Sequence, residues 1–171
     1  MDLLDFAGEA TCFDAPQSAE LERLLLAAGS AYGTPAAELH LLRAFLLAPQ
    51  NLSVLVALFR FYSFEQRLEE AAHVAERIVL ASGATLGFPA DWRQLNERYL
   101  ARAVARSMRL VRFYLLALKA RASIGLRLKQ VQEAYEMLAK VRELDGADRL
   151  GAAALMAIVD NRMGVHHERP A

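Results

Sequence analysis

The chain has 171 residues, of which 55% are hydrophobic and 23% are charged, and its formal net charge is zero. This length predicts a single core, the apolar fraction excludes a disordered chain, and no apolar run approaches the roughly 18 residues of a membrane span. Because Asp2 and Asp5 stand where a secretory signal would be basic and Cys12 is the one cysteine, we expect a cytoplasmic protein without an internal disulfide.

The charge is unevenly distributed along the chain. Residues 1–22 hold six acidic residues and no Lys or Arg, whereas residues 91–129 hold ten basic residues against two acidic ones. Such an asymmetry bears on association more than on fold. We expect residues 1–17 to form a separate, flexible acidic segment and residues 18–163 to form one helical domain.

Helices are predicted for most of this domain. Strand signals are nearly absent, and apolar residues recur at the three-and-four spacing of amphipathic helices. One spacing pattern of small and apolar residues, which we call the repeated frame, occurs three times. Its positions are Ala37, Leu41, Ala44 and Pro49; Ala71, Ala75 and Ile78; Ala134, Leu138, Val141 and Gly146.

In this frame the chain resembles the tetratricopeptide-repeat family, in which a small residue packs between paired helices and Pro closes the turn. Leu55, Leu58, Phe59 and Tyr62 stand where the family's first helix carries Trp, Leu, Gly and Tyr. The departures are Val141 for Ala and Gly146 for Pro. The resemblance implies an all-α, right-handed stack of helical hairpins, an α-solenoid, with repeats at about 18–51, 52–85 and 115–148.

An insertion at about 86–114 separates the second and third repeats. Asp91 is predicted to cap a helix from Trp92 through Ser107, and another helix is predicted from Met108 to Leu128. Asp148 should then cap a final helix that ends at Met163 and closes the stack. Residues 164–171 are predicted to be a flexible tail.

Motifs of catalysis are missing from the sequence. It has no Gly-rich phosphate loop, Gly-x-Ser-x-Gly elbow or His-Glu-x-x-His. His40 and His73 stand alone, and the adjacent His166 and His167 have no evident third metal ligand. We therefore expect a protein that is not an enzyme and has no cofactor or metal, although a cofactor-associated or metal-associated helical enzyme with a site built from distant residues is left open.

The resemblance implies a concave groove lined by the first helix of each repeat. Its positions correspond to Arg60 and Phe64 in the second repeat and to Lys119, Ser123 and Arg127 in the third. Since guanidinium groups grip carboxylates through paired hydrogen bonds, such a groove suits an acidic peptide or a C-terminal carboxylate. The alternative, that the insertion fills or distorts the groove, stays open.

A basic stripe is the second candidate site. Arg98, Arg102 and Arg106 follow at intervals of four, and Arg109 comes three later, so a continuous helix would align all four. Solvent, an acidic partner surface or the acidic segment Met1–Phe6 would offset their repulsion. Nucleic acid is a further alternative, which the zero net charge disfavours.

These features favour a protein-binding adaptor or chaperone whose partner carries an acidic segment. The apolar stretch Gly151–Val159 also favours self-association. Four short sequence segments look similar to segments of small repeat proteins encoded beside nitrogen-fixation genes. They are Asp91–Arg93, Arg112–Lys119, Arg142–Asp145 and Arg149–Gly151. This resemblance implies an accessory role in nitrogen fixation.

Overall fold

The computed structural model describes residues 18–163, and within that range the chain forms helices and no strands. Seven α-helices follow one another, with a short 3-10 helix at Trp92–Gln94 before the fifth. Their bounds are α1 Ala19–Ser30, α2 Pro35–Leu47, α3 Leu52–Phe64, α4 Leu68–Leu86, α5 Glu97–Arg127, α6 Val131–Leu144 and α7 Ala152–Met163. The prediction of an all-α fold is thus confirmed for these residues. The predictions for residues 1–17 and 164–171 lie outside them.

Side chains with local hydrogen-bonding capacity set where several helices begin. Ser18 Oγ accepts from Leu21 N at 3.2 Å, and Asn51 Oδ1 accepts from Val54 N at 3.0 Å. Both satisfy an amide that the first helical turn leaves without a partner. Pro35 opens α2, where its missing N–H costs nothing. A short turn therefore separates α1, which ends at Ser30, from α2.

Each helix packs mainly against its neighbours in sequence, from α1 on α2 through to α6 on α7. Short turns join α1 to α2, α3 to α4 and α5 to α6, so each of these pairs is antiparallel. Two of these turns share one geometry: Gln66 and Lys129 have φ of 59° and 63°. In both turns the next amide donates to a carbonyl five residues back, Arg67 N to Tyr62 O and Gln130 N to Gly125 O. The two hairpins are therefore locally equivalent at a spacing of 63 residues.

The helical residues of the repeated frame, small and apolar, lie in the core. Each is at most 3% exposed, and the set comprises Ala37, Leu41, Ala44, Ala71, Ala75, Ile78, Ala134, Leu138 and Val141. A small side chain at such a position lets two helices approach closely, and the apolar surface removed from water stabilises the contact. The core predicted from the repeated frame is confirmed at these positions.

The segment between α4 and the second half of α5 differs from the sequence prediction at its start. The helix that was predicted from Trp92 through Ser107 begins five residues later; Trp92–Gln94 is a separate 3-10 turn, which Asp91 caps by accepting from Arg93 N. The α-helix begins at Glu97, because Asn96 has extended backbone and its side chain accepts from Arg98 N. The turn is held against α6 by the ion pair of Arg93 with Glu136, at 3.2 Å.

Helix α5 bends where two helices were predicted to meet. Ser107 has φ of −160° and ψ of 93°, which is extended backbone, and its hydroxyl accepts from Leu110 N at 3.1 Å. The residue thus interrupts one helix and caps the next. The second half of α5 begins at Met108, as predicted, and α5 packs on α4 and α6.

The last helix closes the described part of the chain. Asp148 Oδ1 accepts from Ala153 N at 3.1 Å, so the predicted cap is confirmed, and α7 ends at Met163 as expected. No helix within residues 18–163 has the length and apolar character needed to cross a membrane.

Candidate functional site

A cleft of about 500 Å³ opens between the last turns of α3 and the last turns of α5. We call it the Arg60–Arg127 cleft. Of the five predicted groove residues it contains four, and its lining is Tyr32, Phe59, Arg60, Ser63, Phe64, Gln66, Ala120, Ser123, Ile124 and Arg127. Residues that are 60 positions apart in sequence thus share one surface, because α3 and the second half of α5 both pack on α4.

Aromatic rings form one side of this cleft. Phe64 is 64% exposed, although large apolar side chains usually lie inside a fold. Its ring lies 5.4 Å from that of Tyr32, and the Tyr32 ring meets buried Phe61 edge-on at 6.3 Å. The three rings therefore hold an exposed aromatic surface in a fixed position.

Two guanidinium groups supply the charge of the cleft. Arg60 is half-buried and Arg127 is exposed, and neither forms an ion pair with a carboxylate of residues 18–163. Arg127 Nη2 donates to the neutral amide oxygen of Gln66 at 2.5 Å. That bond orients the guanidinium and leaves its positive charge unneutralised, so the cleft favours an anionic ligand.

Two hydroxyls add hydrogen-bonding capacity. Ser63 Oγ is buried and has no hydrogen-bond partner in the described part of the chain. Ser123 Oγ donates to Lys119 O at 2.9 Å, which leaves its oxygen able to accept. A buried hydroxyl without a partner is uncommon in folded proteins, and its place beside the two arginines fits a polar ligand.

Lys119, the fifth predicted groove residue, does not line the cleft. Its ammonium donates to Leu150 O at 2.5 Å, in the turn that precedes α7. The structure therefore separates Lys119 from the other four predicted groove residues, because its side chain joins α5 to the α6–α7 turn. Sequence reasoning also missed Tyr32 and Gln66, which come from the α1–α2 and α3–α4 turns.

A polar network fixes the α3–α4 turn, which carries Gln66. Arg67 bridges Glu38 on α2 and Glu70 on α4, each at 2.7 Å, and lies over the Tyr62 ring at 4.6 Å. Hydrogen bonding to Arg67 lowers the pKa of Glu70. Burial, together with the hydrogen bond from its hydroxyl to Glu38, raises the pKa of Tyr62 to about 12. The network ties α2, α3 and α4 together behind the cleft.

The basic stripe is only partly formed. Arg98, Arg102 and Arg106 are exposed and align on the first half of α5, without an ion pair to any residue that the structure describes. Arg109 lies beyond the bend at Ser107. The four arginines were predicted to align only if the helix is continuous. Because the helix bends at Ser107, Arg109 does not extend the row.

No group of three or more His, Cys, Asp or Glu side chains within residues 18–163 is placed to hold a metal ion. His40 and His73 lie on different helices, α2 and α4. The arrangement that the described residues offer is a cationic cleft with an aromatic side, which is suited to binding an acidic segment.

Comparison with known proteins identifies a relative that matches most of the chain. The chain is 42% identical over 159 residues to a protein of Azotobacter chroococcum mcd 1 described as an uncharacterized 19.8 kDa protein in the nifW 5′ region. The match covers 93% of this chain and 89% of that protein. No family model matches the chain, and no solved structure matches it at a significant level.

Proposed function

Since the chain belongs to the family of the Azotobacter chroococcum protein of the nifW 5′ region, we propose that it is an accessory of nitrogen fixation. Its proposed role is non-catalytic, as an adaptor or chaperone that holds an acidic segment of another protein. The relative's position in the nifW 5′ region supports the biological setting, and the geometry of the cleft supports the mode of binding.

One observation carries the proposed binding mode. Arg60 and Arg127 line the same cleft, without a carboxylate partner in residues 18–163, beside the exposed ring of Phe64. Arginine and aromatic side chains supply much of the binding energy at protein interfaces. A partner segment with two carboxylates and an apolar side chain would pair both guanidinium groups and cover the ring.

A tetratricopeptide-type stack is part of the proposal. It is supported by the equal turn geometry at Gln66 and Lys129, by the sequential packing of the helices and by the buried residues of the repeated frame. The cleft also lies between α3 and the second half of α5, which are the first helices of two hairpins. In stacked hairpins these helices line the surface used for docking.

The test is capture of partners by tagged protein from the native organism, grown with and without fixed nitrogen. We expect the Arg60→Ala/Arg127→Ala double variant to lose a protein that wild type retains. Arg43→Ala is the matched control, since Arg43 is exposed on α2 and lies outside the cleft. If wild type, the double variant and the Arg43→Ala control capture the same proteins, the Arg60–Arg127 cleft is not the binding site.

Nucleic-acid binding is a second candidate, favoured only by the exposed row of Arg98, Arg102 and Arg106. Such binding is dominated by phosphate contacts and is strongest at low salt. A gel shift at low salt that is lost in the triple alanine variant would support it. Absence of any shift under that condition would remove it.

A further inference from the structure

A second cleft, of about 350 Å³, lies at the other end of the α3–α4 hairpin. We call it the Tyr114 cleft. Its walls are mostly apolar and include Pro49, Leu80, Ala84, Phe88, Pro89 and Tyr114. It shares no residue with the Arg60–Arg127 cleft, so it can have a different occupant. Its size lies within the range of ligand-binding pockets, roughly 300–1,000 Å³.

Tyr114 brings a hydroxyl to the wall of this cleft. Its ring is 1% exposed and packs edge-on against Phe88, with the ring centroids 5.0 Å apart. It also lies so close to Gly83 that an added Cβ there would be 3.0 Å from Tyr114 Cε2. No hydrogen bond joins the hydroxyl to another of residues 18–163. Like any tyrosine hydroxyl it is protonated at neutral pH, and burial raises its pKa further, to about 12. The hydroxyl is therefore a donor at the wall of the cleft, from which an oxygen atom of a ligand can accept.

A cation lies at the edge of the same cleft. Arg77 lines it from α4 and stacks on the ring of Phe45, with its guanidinium carbon 5.1 Å from the ring centroid. It forms no ion pair with any carboxylate in the described range. The Tyr114 cleft thus combines apolar walls with one cation and one free donor, which suits an apolar segment that carries carboxylates.

The path of the chain brings such a segment to this end of the molecule. Helices α1 and α2 are antiparallel and nearly equal in length, so Ser18, before α1, lies at the end where α2 stops and Pro49 follows. Residues 1–17 attach at Ser18. They contain four carboxylates, no Lys or Arg, and the apolar side chains Leu3, Leu4, Phe6 and Phe13.

We propose that the Tyr114 cleft is a docking site for this chain's own N-terminal segment, residues 1–17. One apolar side chain of the segment enters between Leu80 and Phe88, a carboxylate meets Arg77, and an oxygen of the segment accepts from the Tyr114 hydroxyl. The six residues from Ser18 back to Cys12 span up to about 20 Å, about the length of α1 at roughly 1.5 Å per residue. The linkage is therefore long enough to fold back onto the cleft.

The native cysteine makes this proposal testable in the full chain, because Cys12 is the one thiol. Ala84→Cys places a second thiol at the Tyr114 cleft, and Ala36→Cys places one at the other end of the α1–α2 hairpin; both alanines are exposed. A disulfide needs the two Cα atoms within about 7 Å. On mild oxidation we expect an intramolecular Cys12 bridge in the Ala84→Cys variant, independent of protein concentration, and little in the Ala36→Cys variant.

Equal bridging in the two variants, or none at position 84, would overturn the proposal. Bridging between chains that rises with protein concentration would overturn it in favour of a second copy as the occupant. A second measurement needs no added thiol. A fluorescent probe is attached to Cys12, and the extent to which a soluble quencher reduces its fluorescence reports how often the segment is undocked. Arg77→Glu should lower the docked-to-undocked ratio roughly two- to fivefold or more, the range for one exposed ion pair, and Arg43→Glu should not; equal quenching in both variants would count against docking.

Discussion

Arg127 Nη2 donates to Gln66 Oε1 at 2.5 Å, across 61 residues of sequence. The bond joins the end of α5 to the α3–α4 turn, next to the exposed ring of Phe64. Because Gln66 is neutral, the contact holds the guanidinium in place without cancelling its charge. The proposed binding of an acidic segment depends on that distinction.

Gln66→Glu should therefore weaken partner binding. A carboxylate at this position would pair with Arg127 from within the chain and compete with the ligand, with an expected loss of roughly tenfold or more in affinity. Gln94→Glu is the control, since Gln94 is exposed and lies outside the cleft. Affinity is measured by titration with the captured partner, and unchanged binding by the Gln66→Glu variant would argue against a charged contact at Arg127.

The left-handed turn residue Lys129 offers a test of the repeated turn geometry. Its φ of 63° favours glycine, because other residues meet a steric cost there of roughly 1–2 kcal/mol. Lys129→Gly should raise the free energy of unfolding by about 1 kcal/mol. Glu65→Gly should lower the free energy of unfolding or leave it unchanged, since Glu65 has φ of −70°, which any residue adopts without steric cost. Chemical denaturation measures both, and destabilisation by Lys129→Gly would contradict the assigned turn.

Two helical glycines should respond to alanine in opposite ways. A Cβ on Gly29 would meet nothing within 4 Å, so Gly29→Ala should raise the free energy of unfolding by about 0.5–1 kcal/mol. A Cβ on Gly83 would lie 3.0 Å from the buried Tyr114 ring, so Gly83→Ala should lower it by about 1–3 kcal/mol. Similar values for the two variants in denaturant melts would show that α4 does not approach Tyr114 this closely.

Stability should fall as the pH rises from about 10 to about 12. The pKa values of Tyr62 and Tyr114 are raised to about 12, so the unfolded chain loses these protons first. Their contribution is complete below the unfolded value of about 10 and is lost as the pH passes the folded value. Tyr114→Phe and Tyr62→Phe should each flatten this dependence, measured as denaturation midpoints from about pH 9 to about pH 11.5. If both variants lose stability with rising pH as steeply as wild type, the two tyrosines do not have the raised pKa values.

Tyr114→Phe and Tyr62→Phe should differ at neutral pH. The Tyr62 hydroxyl donates to Glu38 at 3.1 Å, so its removal should destabilise the fold by about 1 kcal/mol. The Tyr114 hydroxyl has no partner in residues 18–163, so its removal should cost only the small share of stability that docking of residues 1–17 adds. An equal loss in a Tyr114→Phe variant that also carries Arg77→Glu, which weakens docking, would indicate that Tyr114 has an acceptor within the folded domain.

The repeat frame predicted much of the fold because it depends on local periodicity. Ala71, Ala75 and Ile78 could be placed in the core from spacing alone, and the turn before Pro35 and the cap at Asp148 follow from single-residue chemistry. The start of α5 could not be placed in this way, because Asp91 and Asn96 are both competent caps. Which of them opens a long helix depends on how the segment packs against α6.

The candidate site was predictable only in part, for a similar reason. Arg60, Phe64, Ser123 and Arg127 follow from the register of two helices, and the structure brings them into one cleft. Tyr32 comes from a turn whose path no periodicity fixes. Lys119 lies apart from the cleft because a long side chain reaches whichever acceptor is near, here Leu150 O.

The most direct test of the proposed function is a calorimetric titration of the captured partner's acidic segment into three forms of the protein. These are wild type, the Arg60→Ala/Arg127→Ala double variant and the Arg43→Ala control. We predict binding by wild type and the control with equal affinity, and binding weakened roughly hundredfold or more in the double variant. Equal affinity of the double variant and wild type would contradict the proposal that this cleft holds the partner.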